Sequence, residues 1–373
     1  MIIKALSLLV VFLFLAQASS AATYPLSITP GRSWPMSVVV DSSRGLVYFD
    51  ATSGEYPPTG FSFGIINATT HDVIKILPLD VSSGPMVLDQ RSGDVYVAGS
   101  TSIAVLDGGN QSFVRDIEVG HPILSIAHDG SVSQNLFVAS GNILFSLNPQ
   151  TGAIVGNATF ANDVDGVVLD PSNGRLFVGQ YPAGGISVLD ASDLAQVGTI
   201  GLPACCALQF ALDDRTQTLY ASTGTNYVYI VNAATDTLEK NLEVTQSSQN
   251  STNAIAVDNS TGRVFVASSP GGSIIEIDGS SGAVTGNFKA SNQVAGLALD
   301  PKTGELYATN YHQVTVFSIE RTRIFFLLLV GGAVLVVVAL LAVFLFLRRR
   351  DAAERARIQS GWQRSGSPLG RRL

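Results

Sequence analysis

The chain has 373 residues, 14% of them charged, a net charge of −7 and two cysteines. That length suits one large or two ordinary domains, and the charged fraction lies well under the roughly 25% usual for soluble domains. The acidic balance argues against nucleic acid as a partner.

Met1 to Ala22 reads as a secretory signal. Lys4 supplies the positive start, and Ala5 to Ala16 is an apolar core too short for a bilayer, which needs about 20 residues. Ala16-Gln17-Ala18 and Ser20-Ala21-Ala22 both offer small-residue cleavage sites, so cleavage is expected between Ala18 and Ala22. The alternative is an uncleaved anchor.

From Val38 to Thr309 one unit recurs seven times: a short apolar run, an Asp, a turn, then an apolar-aromatic run. Val38-Val39-Val40-Asp41 leads to Leu46-Val47-Tyr48-Phe49, and Leu297-Ala298-Leu299-Asp300 leads to Leu306-Tyr307-Ala308. The Asp positions are 41, 89, 129, 170, 213, 258 and 300, with steps of 40 to 48 residues. That period fits four short strands per unit, as in propeller blades. The expected fold class is therefore all-β, a seven-bladed β-propeller over residues 23–320. First and second strands are apolar at successive positions, as strands buried on both faces must be. Fourth strands such as Thr237 to Leu242 alternate, which places them at a half-exposed rim. The recurring Asp can accept backbone N–H bonds as an Asx-turn, and Gly45, Gly93, Gly174, Gly262 and Gly304 supply the positive φ that closes the turn. A ring of metal-binding carboxylates is the disfavoured alternative, because a turn role explains all seven positions equally.

The seventh unit is one strand short, since only a few residues separate Phe317 from the uncharged stretch that begins at Ile324. The segment Thr23 to Thr29 has no blade of its own. It is expected to pair with the third strand of the last unit and close the ring, removing two open sheet edges. With first strands running from a top face to a bottom face, closure sets the bottom face beside the chain's exit toward residue 324.

Ile324 to Leu347 is uncharged for 24 residues and is followed by Arg348-Arg349-Arg350. At 1.5 Å per residue that length crosses a bilayer with some tilt, so 324–347 is expected to be one C-terminal transmembrane helix. The tail 348–373 has eight Arg against Asp351 and Glu354, a net +6, which leaves −14 on residues 22–323. Basic residues beside a span stay in the cytoplasm. Both ends thus point to a type I protein with an extracellular propeller and a basic cytoplasmic tail drawn to anionic headgroups.

Tyr307-Ala308-Thr309-Asn310, preceded by Leu299-Asp300-Pro301-Lys302-Thr303-Gly304-Glu305-Leu306, resembles the YVTN family of β-propeller repeats. The tetrapeptide departs from that family's namesake only at its second position. The resemblance covers residues 22–320 and implies an archaeal or bacterial surface-layer-like, membrane-anchored protein. It carries no shared catalytic set. The third unit (Gly130-Ser131-Val132-Ser133) and the fifth (Gln217 in place of Gly) depart from the turn pattern.

Asn67, Asn110, Asn157, Asn250 and Asn259 head N-glycosylation sequons. Cys205 and Cys206 are adjacent. Cα atoms across a trans peptide lie about 3.8 Å apart, below the usual disulfide range of roughly 4.4–6.8 Å. A strained vicinal bridge is the preferred reading; buried free thiols or a ligand-contacting redox pair are the others. Trp34, His121, Asp163, Asp165, Tyr181, Tyr311 and His312 fall in top-face segments and are the candidate ligand residues. Asn162-Asp163-Val164-Asp165-Gly166 could offer oxygens to Ca²⁺ but lacks the other ligands of an EF-hand loop. No CxxC, HxH or HExxH pattern supports a transition metal, and no GxSxG or P-loop occurs.

The favoured function is a non-enzymatic cell-surface binding or scaffolding module without a cofactor, whose partners are the membrane and an extracellular protein or glycan. The alternative is an extracellular propeller enzyme of lactonase, lyase or quinone-dependent dehydrogenase type, with Asp163, Asp165, His121 and His312 converging on the central channel.

Overall fold

The computed structural model describes residues 23–27, 33–53, 60–130, 133–182, 185–203, 209–245, 251–269, 271–290, 293–310 and 313–365. The described residues fall into two compact units, divided between Ile319 and Glu320. The first is a seven-bladed β-propeller of seven four-stranded sheets.

Blade one consists of β2 (Ser33–Asp41), β3 (Leu46–Ser53), β4 (Gly60–Asn67) and β5 (Val73–Pro78), paired in chain order. Blades two to six follow as β6–β9 (86–118), β10–β13 (125–159), β14–β17 (163–200), β18–β21 (209–243) and β22–β25 (251–289). Blade seven has β26 (Val294–Asp300), β27 (Glu305–Asn310) and β28 (Gln313–Ser318) from the C-terminal side of the propeller. Its fourth strand is β1 (Thr23–Ser27), antiparallel to β28 from Thr23↔Phe317 to Ser27↔Gln313. The closure expected from the short seventh unit is therefore present.

The blades hold together through one aromatic per second strand. Tyr48, Tyr96, Phe137, Phe177, Tyr220, Phe265 and Tyr307 occupy equivalent positions and are all at most 2% exposed. Each belongs to a core shared with the following blade: Tyr48 with Leu88 and Val97, Phe177 with Leu219 and Val231, and Tyr307 of the last blade with Val47 and Ile66 of the first. Seven inter-blade cores result. A sheet with two apolar faces cannot bury them alone, so the stacking of neighbours is what removes them from water.

The recurring Asp acts as the turn residue. Oδ1 of Asp41 accepts the N–H groups of Ser43 and Arg44, each at 3.0 Å. Asp89, Asp170, Asp213, Asp258 and Asp300 accept the N–H two residues on in the same way. Burial alone would raise the Asp41 carboxyl, but the bonds from Ser43 and Arg44 outweigh it and hold the group below the ordinary range. Gly45, Gly93, Gly174, Gly262 and Gly304 take positive φ, from 66° to 84°. Where the glycine is missing, Gln134 and Gln217 enter the same left-handed region at 58° and 53°. In the irregular third blade Asp129 reaches further, to the Ser133 N–H at 2.6 Å.

A second set of turns repeats at the end of the third strands. Asn67, Asp107, Asn148, Asp190, Asn232 and Asp278 each accept the N–H two residues on. This Asn/Asp recurs in the sequence at the end of each of these third strands.

The second unit contains helix α1 (Ile319–Ser365), 47 residues long, which covers the uncharged stretch 324–347 and continues into the basic tail. Among the described residues no helix is long and apolar enough to cross a membrane; within the uncharged stretch of α1 the described side chains begin at Val336.

Two outcomes test the ring. A chain beginning at Arg32 loses the five β1–β28 pairs, which at about 0.2–1 kcal/mol each should cost about 1–5 kcal/mol in chemical denaturation and expose an aggregating edge; normal stability and solubility would refute the closure role. The aromatic positions differ in what their hydroxyls do. The Tyr307 hydroxyl donates to Glu305 Oε2 at 3.0 Å, whereas the buried Tyr48 hydroxyl has no hydrogen-bond partner among the described residues. Tyr48→Phe should therefore leave stability unchanged or raise it, Tyr307→Phe should lower it by about 1–2 kcal/mol, and Phe177→Ala should lower it by about 3–5 kcal/mol.

Candidate functional site

The first strands of all blades begin on one face of the ring, here the top, and their starts converge on a central cavity of about 540 Å³. Residues from six blades line it, including Ser37, Pro85, Ser125, Asp165, Phe210 and Leu297. β-Bulges shape this wall. The register of the first strand shifts between Pro35 and Val38 in blade one, Val164 and Gly166 in blade four, Thr252 and Ile255 in blade six, and Val294 and Gly296 in blade seven. A bulge re-aims a side chain, and in blade four the displaced residue is Asp165. The backbone is closely packed here, within blades and between them. A Cβ on Gly84 would lie 2.5 Å from the Ala98 carbonyl oxygen of its own blade, and one on Gly296 of blade seven would lie 3.1 Å from the Met36 carbonyl oxygen of blade one.

The candidate residues fare differently. Asp165 is half-buried and lines the cavity. Burial, and then the neighbouring Asp163, push its carboxyl above the ordinary range. Asp163 is exposed and stands directly opposite Tyr181, itself 46% exposed, on the paired strand. These three top-face residues belong to blade four. His121 is exposed in the segment before blade three, and its ring stacks on Phe145 with centroids 5.3 Å apart. Trp34 lies in β2 opposite Thr52, with its side chain outside the described residues, as are Tyr311, His312 and the pair Cys205 and Cys206. Among the described residues no group of three or more His, Cys, Asp or Glu side chains could hold a metal ion.

Of the sequon residues, Asn110, Asn157 and Asn259 are exposed and Asn67 is half-buried in its turn; Asn250 lies outside the described residues. The Asn259 amide donates to Asp214 Oδ1 at 2.8 Å, and the Asn110 amide donates to Asp107 Oδ2 at 3.0 Å. Asn157 sits on the outermost strand of blade three opposite Phe145.

One residue of the hub escaped the sequence reading. Asp50, on β3, is fully buried. Its Oδ1 accepts the N–H of Ser37 in its own blade and its Oδ2 the N–H of Gly84 in the next, both at 2.7 Å. At the same position the other second strands carry Ala98, Ala139, Gly179, Ser222, Ala267 and Thr309. Thr309 makes the corresponding link, donating to Met36 O of the next blade at 3.3 Å. The signal was an acid inside an apolar-aromatic run where every other copy has a small or hydroxyl residue. Burial pushes the Asp50 carboxyl up to about 7 against the pull of its two N–H donors.

That displacement makes stability depend on pH. The folded-state value lies above the unfolded one, near 3.9 for Asp, so the folded chain holds this proton more tightly. The contribution is fully present below about pH 4 and is lost as pH rises through about 7. Asp50→Ala should remove this fall, seen as a wild-type-minus-variant stability difference that shrinks between pH 4 and 7. It should also leave two buried N–H groups unpaired, at about 1–3 kcal/mol. A difference independent of pH across that window would refute the assignment.

No family model matches the chain, and no curated protein matches it in sequence. By structure it is similar to many solved proteins. One is the β-propeller domain of Cps50 (Swd1) from Myceliophteria thermophila, with a TM-score of 0.65 at 11% identity, covering 80% of this chain and 100% of that one. At that identity the likeness establishes the β-propeller fold alone.

Proposed function

We propose that this protein is a membrane-anchored cell-surface β-propeller of the YVTN type, which binds an extracellular ligand at the top-face cavity and carries out no chemistry of its own. The observation that carries this reading is the cavity itself. Its volume falls within the roughly 300–1,000 Å³ of ligand sites, and it gathers apolar side chains around one carboxylate where the blades converge.

The anchoring half rests on the sequence. A signal-like leader, 24 uncharged residues and a following Arg run are the pattern of a type I protein, and α1 is helical throughout the uncharged stretch. The exposed sequons at Asn110, Asn157 and Asn259 fit an extracellular ring. The enzymatic alternative requires His121 to turn toward the acids of blade four, which would cost its stacking on Phe145.

Protease added to intact cells making the full chain should digest the propeller and spare a C-terminal epitope after Leu373. Mass spectrometry should find glycan on peptides holding Asn110, Asn157 or Asn259. Digestion of the epitope with the propeller intact would refute the topology, and a stoichiometric transition metal in the purified full chain would favour the enzyme.

A further inference from the structure

We propose that the top-face cavity takes an organic cation, an ammonium group on an apolar body, with the Asp165 carboxylate as its counter-ion. The inference rests on the binding-site reading above and adds the chemistry of the ligand.

Three observations converge on it. The first is the unbalanced charge. Asp165 lines the cavity without a hydrogen bond or ion pair to any described residue, and no Lys or Arg is among the described residues that line it. The charge that acts on it is Asp163, of the same sign. A half-buried carboxylate beside a second acid is stabilised by an arriving cation and repels an anion.

The second is the apolar wall. Met36 of blade one and Leu124 of blade three both line the cavity, yet each is 44% exposed. Phe210 of blade five adds an aromatic face. Large apolar side chains left in water around a concave site mark a surface that something apolar covers.

The third is the shortage of oxygen donors for a bare metal ion. Ca²⁺ takes six to eight oxygens. Among the described lining residues Asp165 is the one carboxylate; the other side-chain oxygens are those of Ser37, Ser125 and Gln209, too few for that shell, and the Ser125 hydroxyl already accepts the Val167 N–H at 3.3 Å. An ammonium needs fewer partners, and its hydrocarbon body uses the walls that a metal ion would leave wet.

Phenethylamine is a suitable probe, with phenylacetate and phenethyl alcohol as its anionic and neutral counterparts. Titrated against the full chain in detergent by calorimetry, phenethylamine should bind saturably, and the alcohol and the acid at least about tenfold more weakly. Asp165→Asn should weaken phenethylamine about tenfold or more while leaving the thermal midpoint unchanged. Should that variant fold poorly, Leu124→Ala keeps the charge and should weaken the amine through lost apolar contact. Equal binding of the three probes, phenethylamine binding unaffected by Asp165→Asn, or Ca²⁺ displacing the amine at equal concentration would each overturn the proposal. The protease experiment on intact cells reports on surface exposure alone, so a failed amine titration with correct topology removes only the ligand class.

Discussion

The aromatic that each second strand lends to its neighbour is the interaction on which the ring depends. A four-stranded blade has two apolar faces and cannot bury either against itself. Each of Tyr48, Tyr96, Phe137, Phe177, Tyr220, Phe265 and Tyr307 crosses to the next blade's core. Residues of aromatic size bury roughly 150–250 Å² each, so seven such crossings bring the chain into a ring before any individual polar contact matters. Four of the seven are tyrosines and three phenylalanines. The packing therefore selects ring volume and treats the hydroxyl as optional, which is why the Tyr48 hydroxyl can stay without a partner among the described residues.

Six of the seven seams have a covalent guide, because the fourth strand of one blade runs straight into the first strand of the next. The seam between blades seven and one has none until β1 is counted. With β1 as the outer strand of blade seven, the chain passes from blade seven into β2 of blade one, and the last seam acquires the same kind of connection as the rest. Side chains add to it there. His71 of blade one meets Glu305 of blade seven at 2.9 Å, and the Tyr307 hydroxyl bonds both Glu305 and, at 3.3 Å, Ala68 O. These partners are far apart in sequence, so ordering them carries a loop-closure cost that local turns do not bear.

Much of this was legible because it repeats. The period set the blade count, the first Asp and its Gly set the turn, and the missing strand of the seventh unit pointed to Thr23–Ser27. The third-strand Asx-turns were equally legible, since Asn67, Asp107, Asn148, Asp190, Asn232 and Asp278 stand at matching places. The cavity was less so. Its lining depends on bulges at the tops of first strands, and a bulge is one residue of register that no apolar pattern records. Asp165 could thus be named with Asp163 and His121 as a residue converging on the channel, but nothing in the sequence set it apart as the one of the three that lines the cavity. His121 was named beside it, yet the stacking on Phe145 is a packing choice made in space.

The two faces of the ring are built under different constraints. On the bottom, every turn needs an Asx oxygen and a left-handed residue, so that even Gln134 and Gln217 adopt a conformation favoured by glycine. Substitution there works against turn geometry. On the top, first strands start from loops of unequal length and carry bulges in some blades and none in others, so side chains can vary without breaking a repeat rule. Asp50 marks the boundary between the two regimes. It is a buried acid in a position otherwise held by small or hydroxyl residues, tolerated because the N–H groups of Ser37 and Gly84 meet both its oxygens. A local rule broken and then compensated is common beside functional sites, and this one lies directly behind the cavity wall. The ring thus supplies a rigid rim through its repeats, and its individuality is concentrated at the hub, where Asp50 joins blades one and two and Asp165 faces the open cavity.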